Sequence, residues 1–201
     1  MSLSDKSLNE RYSHLLEIMM SDRFLKMQGL GNEVPFFICP FETKESIQAE
    51  QIQRQLINKL AQSGRKVLNI NLYELSVTIL NLENDWQWYI DNEESMAKAE
   101  LLNQLQSILD VETVLAPAIA KQIQEDIYDI IFLSGVGEVF PYIRSHQILN
   151  NLHSVIKNIP MVMFFPGKYT HSLEFGSSLD LFGKLHDDNY YRAFNINEYK
   201  V

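Results

Sequence analysis

What most constrains this chain is a recurrence of short, nearly continuous apolar runs separated by segments whose apolar residues return at helical spacing. Val34 to Phe41 is the first run, Lys66 to Leu72 the second, Asp129 to Val136 the third and Met161 to Phe165 the fourth. Runs of this length without alternation suit strands covered on both faces. After the first run, Ile47, Ile52, Leu56 and Leu60 fall near helical spacing, with Thr43 available as N-cap and Gly64 just past the end. Lys66 follows directly, and a helix-length connection predicts a parallel pair of strands joined by a right-handed crossover.

The same periodicity predicts a helix from Leu15, Ile18, Met19, Phe24 and Leu25, ending before Gly29, and another from Ile148, Leu149, Leu152, Val155 and Ile156. A helical insertion is expected over 73–126, where Leu101, Leu105, Ile108 and Leu109 mark one helix and Pro117 suits the first turn of another. Tyr190 to Ile196 is predicted as a fifth strand. The segment 177–188 before it is expected to be a loop or short helix, with helix-like spacing at Leu181 and Leu185. The expected architecture is a single α/β domain over residues 1–201. Its mostly parallel open sheet has about five strands, with helices on both faces, and is P-loop-like in general layout.

Charge and composition narrow the function classes. The net charge is -9, and within 81–100 Glu83, Asp85, Asp91, Glu93, Glu94 and Glu100 face only Lys98, so direct DNA binding is not expected. A DNA-contacting role would need Arg144, Lys168, Lys184 and Arg192 on one face. No apolar stretch has the length of a membrane span, and Met1 to Glu10 lacks the apolar segment of a signal peptide. A cytoplasmic protein with no membrane contact is therefore expected. Cys39 is the only cysteine, which excludes an intrachain disulfide, and its place between Ile38 and Pro40 suits a small buried side chain better than a catalytic thiol.

Ligands of open parallel sheets bind beyond the carboxyl ends of the strands, so the turns there carry any chemistry. In GVGEVFPYIRSH, from Gly135 to His146, Gly135 and Gly137 form G-x-G, but Phe140 stands where a dinucleotide fingerprint has its third glycine. In FFPGKYTH, from Phe164 to His171, Tyr169 follows Gly167-Lys168 where a P-loop needs Ser or Thr, so there is no Walker A motif and no cofactor is expected. Should the two turns converge, Gly135, Gly137, Glu138, Arg144, His146, Gly167, Lys168 and His171 are the candidates for holding a ligand or partner.

His186 and Asp187 are weak metal-ligand candidates beside His171, Asp180 and Asp188, because Asp187-Asp188-Asn189 suits a polar turn. No G-x-S-x-G elbow is present, and Ser134 and Ser172 have no spacing that argues for a nucleophile. Trp86, Trp88 and Tyr89 are interface candidates that could equally pack the insertion onto the sheet.

Four segments, RFLKMQGLGNEVPFFICPF (23–41), FLSGVGEVFPYIRSHQILNNL (132–152), VMFFPGKYTHSL (162–173) and SSLDLFGKLHDDNYYRAFNI (177–196), together resemble the BrxB family in order and spacing. The resemblance implies a small component of bacterial BREX phage-defence systems. It also implies neighbours: an adenine-specific DNA methyltransferase, a large ATPase and PglZ, a protein of the alkaline-phosphatase superfamily. The family resembles no characterised enzyme family, so no catalytic residues carry over. The expectation is a non-catalytic adaptor docking to the PglZ-like component first and the large ATPase second. The alternative is a small nucleotide- or phosphate-binding sensor or hydrolase built on the strand-end loops.

Overall fold

The computed structural model describes residues 6–28, 35–82, 85–172, 176–187 and 193–199. The apolar runs become strands β1 (Phe36–Phe41), β2 (Val67–Asn71), β3 (Ile130–Ser134) and β4 (Met161–Ser172), followed by β5 (Gly176–Leu181), β6 (Leu185–Asp187) and β7 (Phe194–Asn195). Parallel pairing sets the order β2-β3-β4-β1-β7, the expected open and mostly parallel sheet. Only the end of the predicted fifth strand is seen, as β7, because 188–192 lie outside the described residues.

One expected pairing does not form: β1 and β2 are parallel but not neighbours, since β3 and β4 lie between them. Burial explains the placement. Phe36, Phe37, Ile38 and Cys39 are all fully buried, so β1 needs cover on both faces and takes an interior position. In β2, Leu68 and Ile70 are buried while Asn69 is exposed, the alternation of an edge strand.

The helices are α1 (Leu8–Met20), α2 (Asp22–Leu25), α3 (Ser46–Gln62), α4 (Leu72–Leu82), α5 (Trp86–Asn92), α6 (Lys98–Ile108), α7 (Ala116–Gln124) and α8 (Ser145–Val155). Residues of α1, α2 and α3, among them Leu15, Phe24 and Leu56, pack with Phe37, Cys39, Phe132 and Phe164 on one sheet face. Helices α4 to α8 cover the other, where Leu75, Tyr89, Ile119 and Leu149 join Ile38, Leu133 and Met163. A 17-residue α3 is about 25 Å long at ~1.5 Å per residue, enough to cross several strands.

The first helix is interrupted where continuity was expected. Ser21 is extended, and its hydroxyl accepts from the Phe24 amide, starting α2 and turning Phe24 into the core. Thr43 is not the N-cap of α3 but part of a 3-10 turn, Thr43–Glu45, framed by a capping box between Glu42 and Glu45. Ile47 is 69% exposed, so it lies off the buried stripe. Gly64, at φ +76°, ends α3 as expected, and Pro117 lies in the first turn of α7.

Segment 177–188 is neither loop nor helix in its described part. β4 runs past Phe165 to Ser172 and pairs antiparallel with β5, which pairs with β6. Phe182 and Gly183 have positive φ in the turn, a conformation that suits hairpin twist. The four-residue spacing of Leu181 and Leu185, which imitates a helix, here brings them opposite one another across the turn. No helix among the described residues is long and apolar enough to cross a membrane.

Candidate functional site: a strand-end cleft and its neighbours

The connection from β1 enters α3 on one face of the sheet and that from β3 reaches α8 on the other, so the chain diverges at the carboxyl ends of the strands and leaves a crevice there. A cleft of about 570 Å³ occupies it. Its walls carry Glu50, Gln53 and Arg54 from α3, Asn69 and Asn71 from β2, Glu74 from α4, Ser134 at the end of β3, the following turn from Gly135 to Glu138, and Phe182 from the hairpin turn.

Three carboxylates against Arg54 make this cleft acidic. Although Glu138 keeps solvent access, partial burial raises its carboxyl above the ordinary 4.5, and the charges of Glu50 and Glu74 push the same way. The polar groups between are already engaged. Gln53 donates to Asn69 at 2.6 Å, and Asn71 accepts from the Tyr73 and Glu74 amides, capping α4.

The glycines of the β3 turn answer to packing. Gly135 has φ +75°, and a Cβ there would collide with the Asn71 side chain and meet the Leu72 backbone at 3.0 Å. A Cβ at Gly137 would stand 2.8 Å from the Phe182 ring. The Glu138 and Val139 amides turn back to the Gly135 carbonyl at 3.1 and 3.3 Å, which removes them from an anion cradle.

A phosphate loop would lie between β1 and its helix. Residues 42–46 contain no glycine there, and carboxylates occupy the position. Glu45 accepts from the Glu42 amide at 3.2 Å and from the Leu8 amide at 2.9 Å, tying the start of α1 to this turn. In place of glycines this turn carries the Glu42 and Glu45 carboxylates, both engaged within the protein.

The sequence-derived candidates separate into three neighbourhoods. Gly135, Gly137 and Glu138 line the acidic cleft. Gly167 and Lys168 line a second cavity, of about 610 Å³, with Lys6, Arg11 and Lys44. Arg144 belongs to a third hollow of about 210 Å³, with Phe140, Lys184 and His186, while His146 is half-buried in the first turn of α8. His171 pairs with Ser177 through the hairpin backbone. Of the DNA-face candidates, Arg144 and Lys184 share a hollow, Lys168 lines another, and Arg192 lies outside the described residues.

A serine, a histidine and an aspartate do meet on the hairpin, but not as a hydrolytic triad. Ser178 Oγ is 3.0 Å from His186 Nδ1, and Asp180 bonds the same nitrogen. A charge-stabilised general base needs the acid and the nucleophile on opposite ring nitrogens. Among the described residues no three His, Cys, Asp or Glu side chains are grouped to hold a metal; Asp187 is placed by the backbone of β6 alone. Cys39 is fully buried, which pushes its thiol up to about 11.

The three aromatic candidates divide. Tyr89 is buried and donates its hydroxyl to Gln104 at 3.2 Å, and Trp86 packs half-buried on the same core. Trp88 is 48% exposed, as are Leu82 at 75% and Ile90 at 46%. Sequence reasoning missed Leu82 and Ile90, whose signal is an apolar side chain off the buried stripe. It also missed Arg11, which interrupts the stripe Leu8, Leu15, Ile18 and is 2% exposed.

Fold and cleft define an open, mostly parallel α/β protein of P-loop-like layout without the phosphate loop. The family model described as BREX protein BrxB matches residues 68–196. A BREX protein BrxB of Bacillus cereus (strain H3081.97) is 38% identical over 198 residues, covering 95% of this chain and 98% of its own. Another, of Escherichia coli O9:H4 (strain HS), is 28% identical over 192 residues, 96% of this chain and 92% of its own. The chain therefore belongs to the BrxB family. No solved structure matches it.

Proposed function

We propose that this protein is a cytoplasmic, non-catalytic adaptor subunit of a BREX-type antiviral defence complex, acting by binding another component. The observation that carries the reading is Trp88, 48% exposed on α5 with Asp85 and Asp91 three positions to either side, while Leu82 and Ile90 are exposed at 75% and 46% elsewhere on α4 and α5. Half-exposed tryptophan rimmed by charge is the composition of an interface anchor, costly to leave in water and worth most when covered. The first partner to test is the PglZ-like component and the second the large ATPase, with a partner surface that is apolar at its centre and basic at its rim.

The acidic cleft gives no support to a phosphate-handling enzyme at the glycine turn, because Glu50, Glu74 and Glu138 repel phosphate. The test is co-expression with the neighbouring BREX components, affinity capture and size exclusion, repeated with Trp88→Ala plus Ile90→Ser. The expected result is a stoichiometric complex for the wild type that the double substitution dissolves without lowering the melting temperature. Separate migration of wild-type protein and partners at every salt concentration overturns the reading.

A further inference from the structure

The second cavity has the opposite electrostatic character to the cleft. Lys6, Arg11, Lys44 and Lys168 line it against two carboxylates, Glu42 and Glu45. Both carboxylates are committed: Glu42 pairs with Lys44 at 2.6 Å, and the oxygens of Glu45 accept from the Leu8 and Glu42 amides. Lys6 and Lys168 form no ion pair among the described residues.

Arg11 makes the cavity more than a patch of surface lysines. It is 98% buried by its 2% exposure, and its two terminal nitrogens donate to neutral acceptors, Asn197 Oδ1 at 3.0 Å and the Pro40 carbonyl at 2.8 Å. Its Nε is buried without an acceptor. A buried guanidinium with no carboxylate partner and an orphan donor among the described residues is expensive unless something else brings negative charge. The protein holds it in place all the same, since α1 is pinned to the β1–α3 turn through Glu45.

We infer that this cavity binds a phosphate group of a small molecule, with Lys6 and Lys168 as point-charge donors and Arg11 as the buried anchor. Charge matching favours phosphate: the cations exceed the carboxylates by two, and a phosphomonoester carries about -1.5 to -2 at neutral pH. The size, about 610 Å³, is that of a small-molecule pocket and leaves room for a group attached to the phosphate. The site is remote in character from the apolar set on α4 and α5 and stands whether or not that set binds a partner.

Calorimetric titration of the full chain with inorganic phosphate and with adenosine monophosphate, against sodium chloride at equal ionic strength, tests it. Saturable binding is expected, weakened about tenfold by Lys168→Gln or Lys6→Gln, the loss of one charge-assisted contact. Arg54→Gln, which removes the cation of the acidic cleft, should leave it unchanged. Equal affinity for the two probes identifies free phosphate as the ligand, and tighter binding of the nucleotide identifies a phosphomonoester; both support the site. No heat beyond the chloride control, or binding that survives both lysine substitutions, or binding lost in Arg54→Gln, overturns it.

Discussion

Glu45→Ala tests the idea that one carboxylate ties the start of α1 to the β1–α3 turn. In the native structure this one side chain accepts from the Leu8 amide at the start of α1 and from the Glu42 amide ahead of the 3-10 turn. Both contacts are charge-assisted but partly or fully solvent-exposed, so each is worth about 1 kcal/mol, not the larger value of a buried ion contact. The Ser7 and Glu10 capping box of α1 survives the substitution, and water can reach the freed amides. The expected loss is about 2 kcal/mol, which lowers Tm by about 4–8 °C in a chain of this size. Glu45→Gln keeps one acceptor oxygen and should lose about half as much. Urea titration gives the free energies, and hydrogen exchange should show the loss locally, as faster exchange of the Leu8 amide and the first turn of α1. A Glu45→Ala protein within about 0.5 kcal/mol of wild type, the ordinary range for an inert surface change, refutes the argument. So does unchanged protection at Leu8.

The adjacent aromatics of α5 should behave oppositely: Tyr89→Ala is expected to cost about 3 kcal/mol by emptying a buried site, whereas Trp88→Ala should change stability by less than about 0.5 kcal/mol. Equal losses in denaturant titration would contradict the division into core and surface. For Glu138, partial burial and then Glu50 and Glu74 raise the folded-state pKa above the ordinary 4.5. The folded protein therefore holds this proton more tightly than the unfolded chain does, so the contribution is most favourable below pH 4.5 and is lost as pH rises through the folded value. Glu138→Gln should stabilise the protein at pH 7 and flatten the dependence on its acid side; a destabilised variant at pH 7 would count against an acidic cleft.

How much of this was legible in the sequence depends on whether a signal is local. The apolar runs that became β1, β3 and β4 were readable because strands buried on both faces have no polar side to interrupt them, and the helices between them because one apolar stripe must meet the sheet. The absence of a Walker A motif was equally legible, since phosphate cradling by backbone needs glycine at fixed positions. Hairpin β5–β6 was not, because a leucine spacing of four satisfies a helix and a three-residue turn alike, and β4 decides between them by offering an edge to pair with.

The sequence by itself therefore determined a parallel α/β protein of BrxB kinship with an acidic balance and no phosphate loop. Only the tertiary structure decided that β1 sits inside and β2 at the edge, that the two glycine turns open onto different cavities, and that Arg11 joins Lys168 across 157 positions of chain. The physical reason is that side-chain periodicity records which face of an element is buried, while strand order and cavity lining depend on contacts between residues far apart in the chain, which no local pattern encodes.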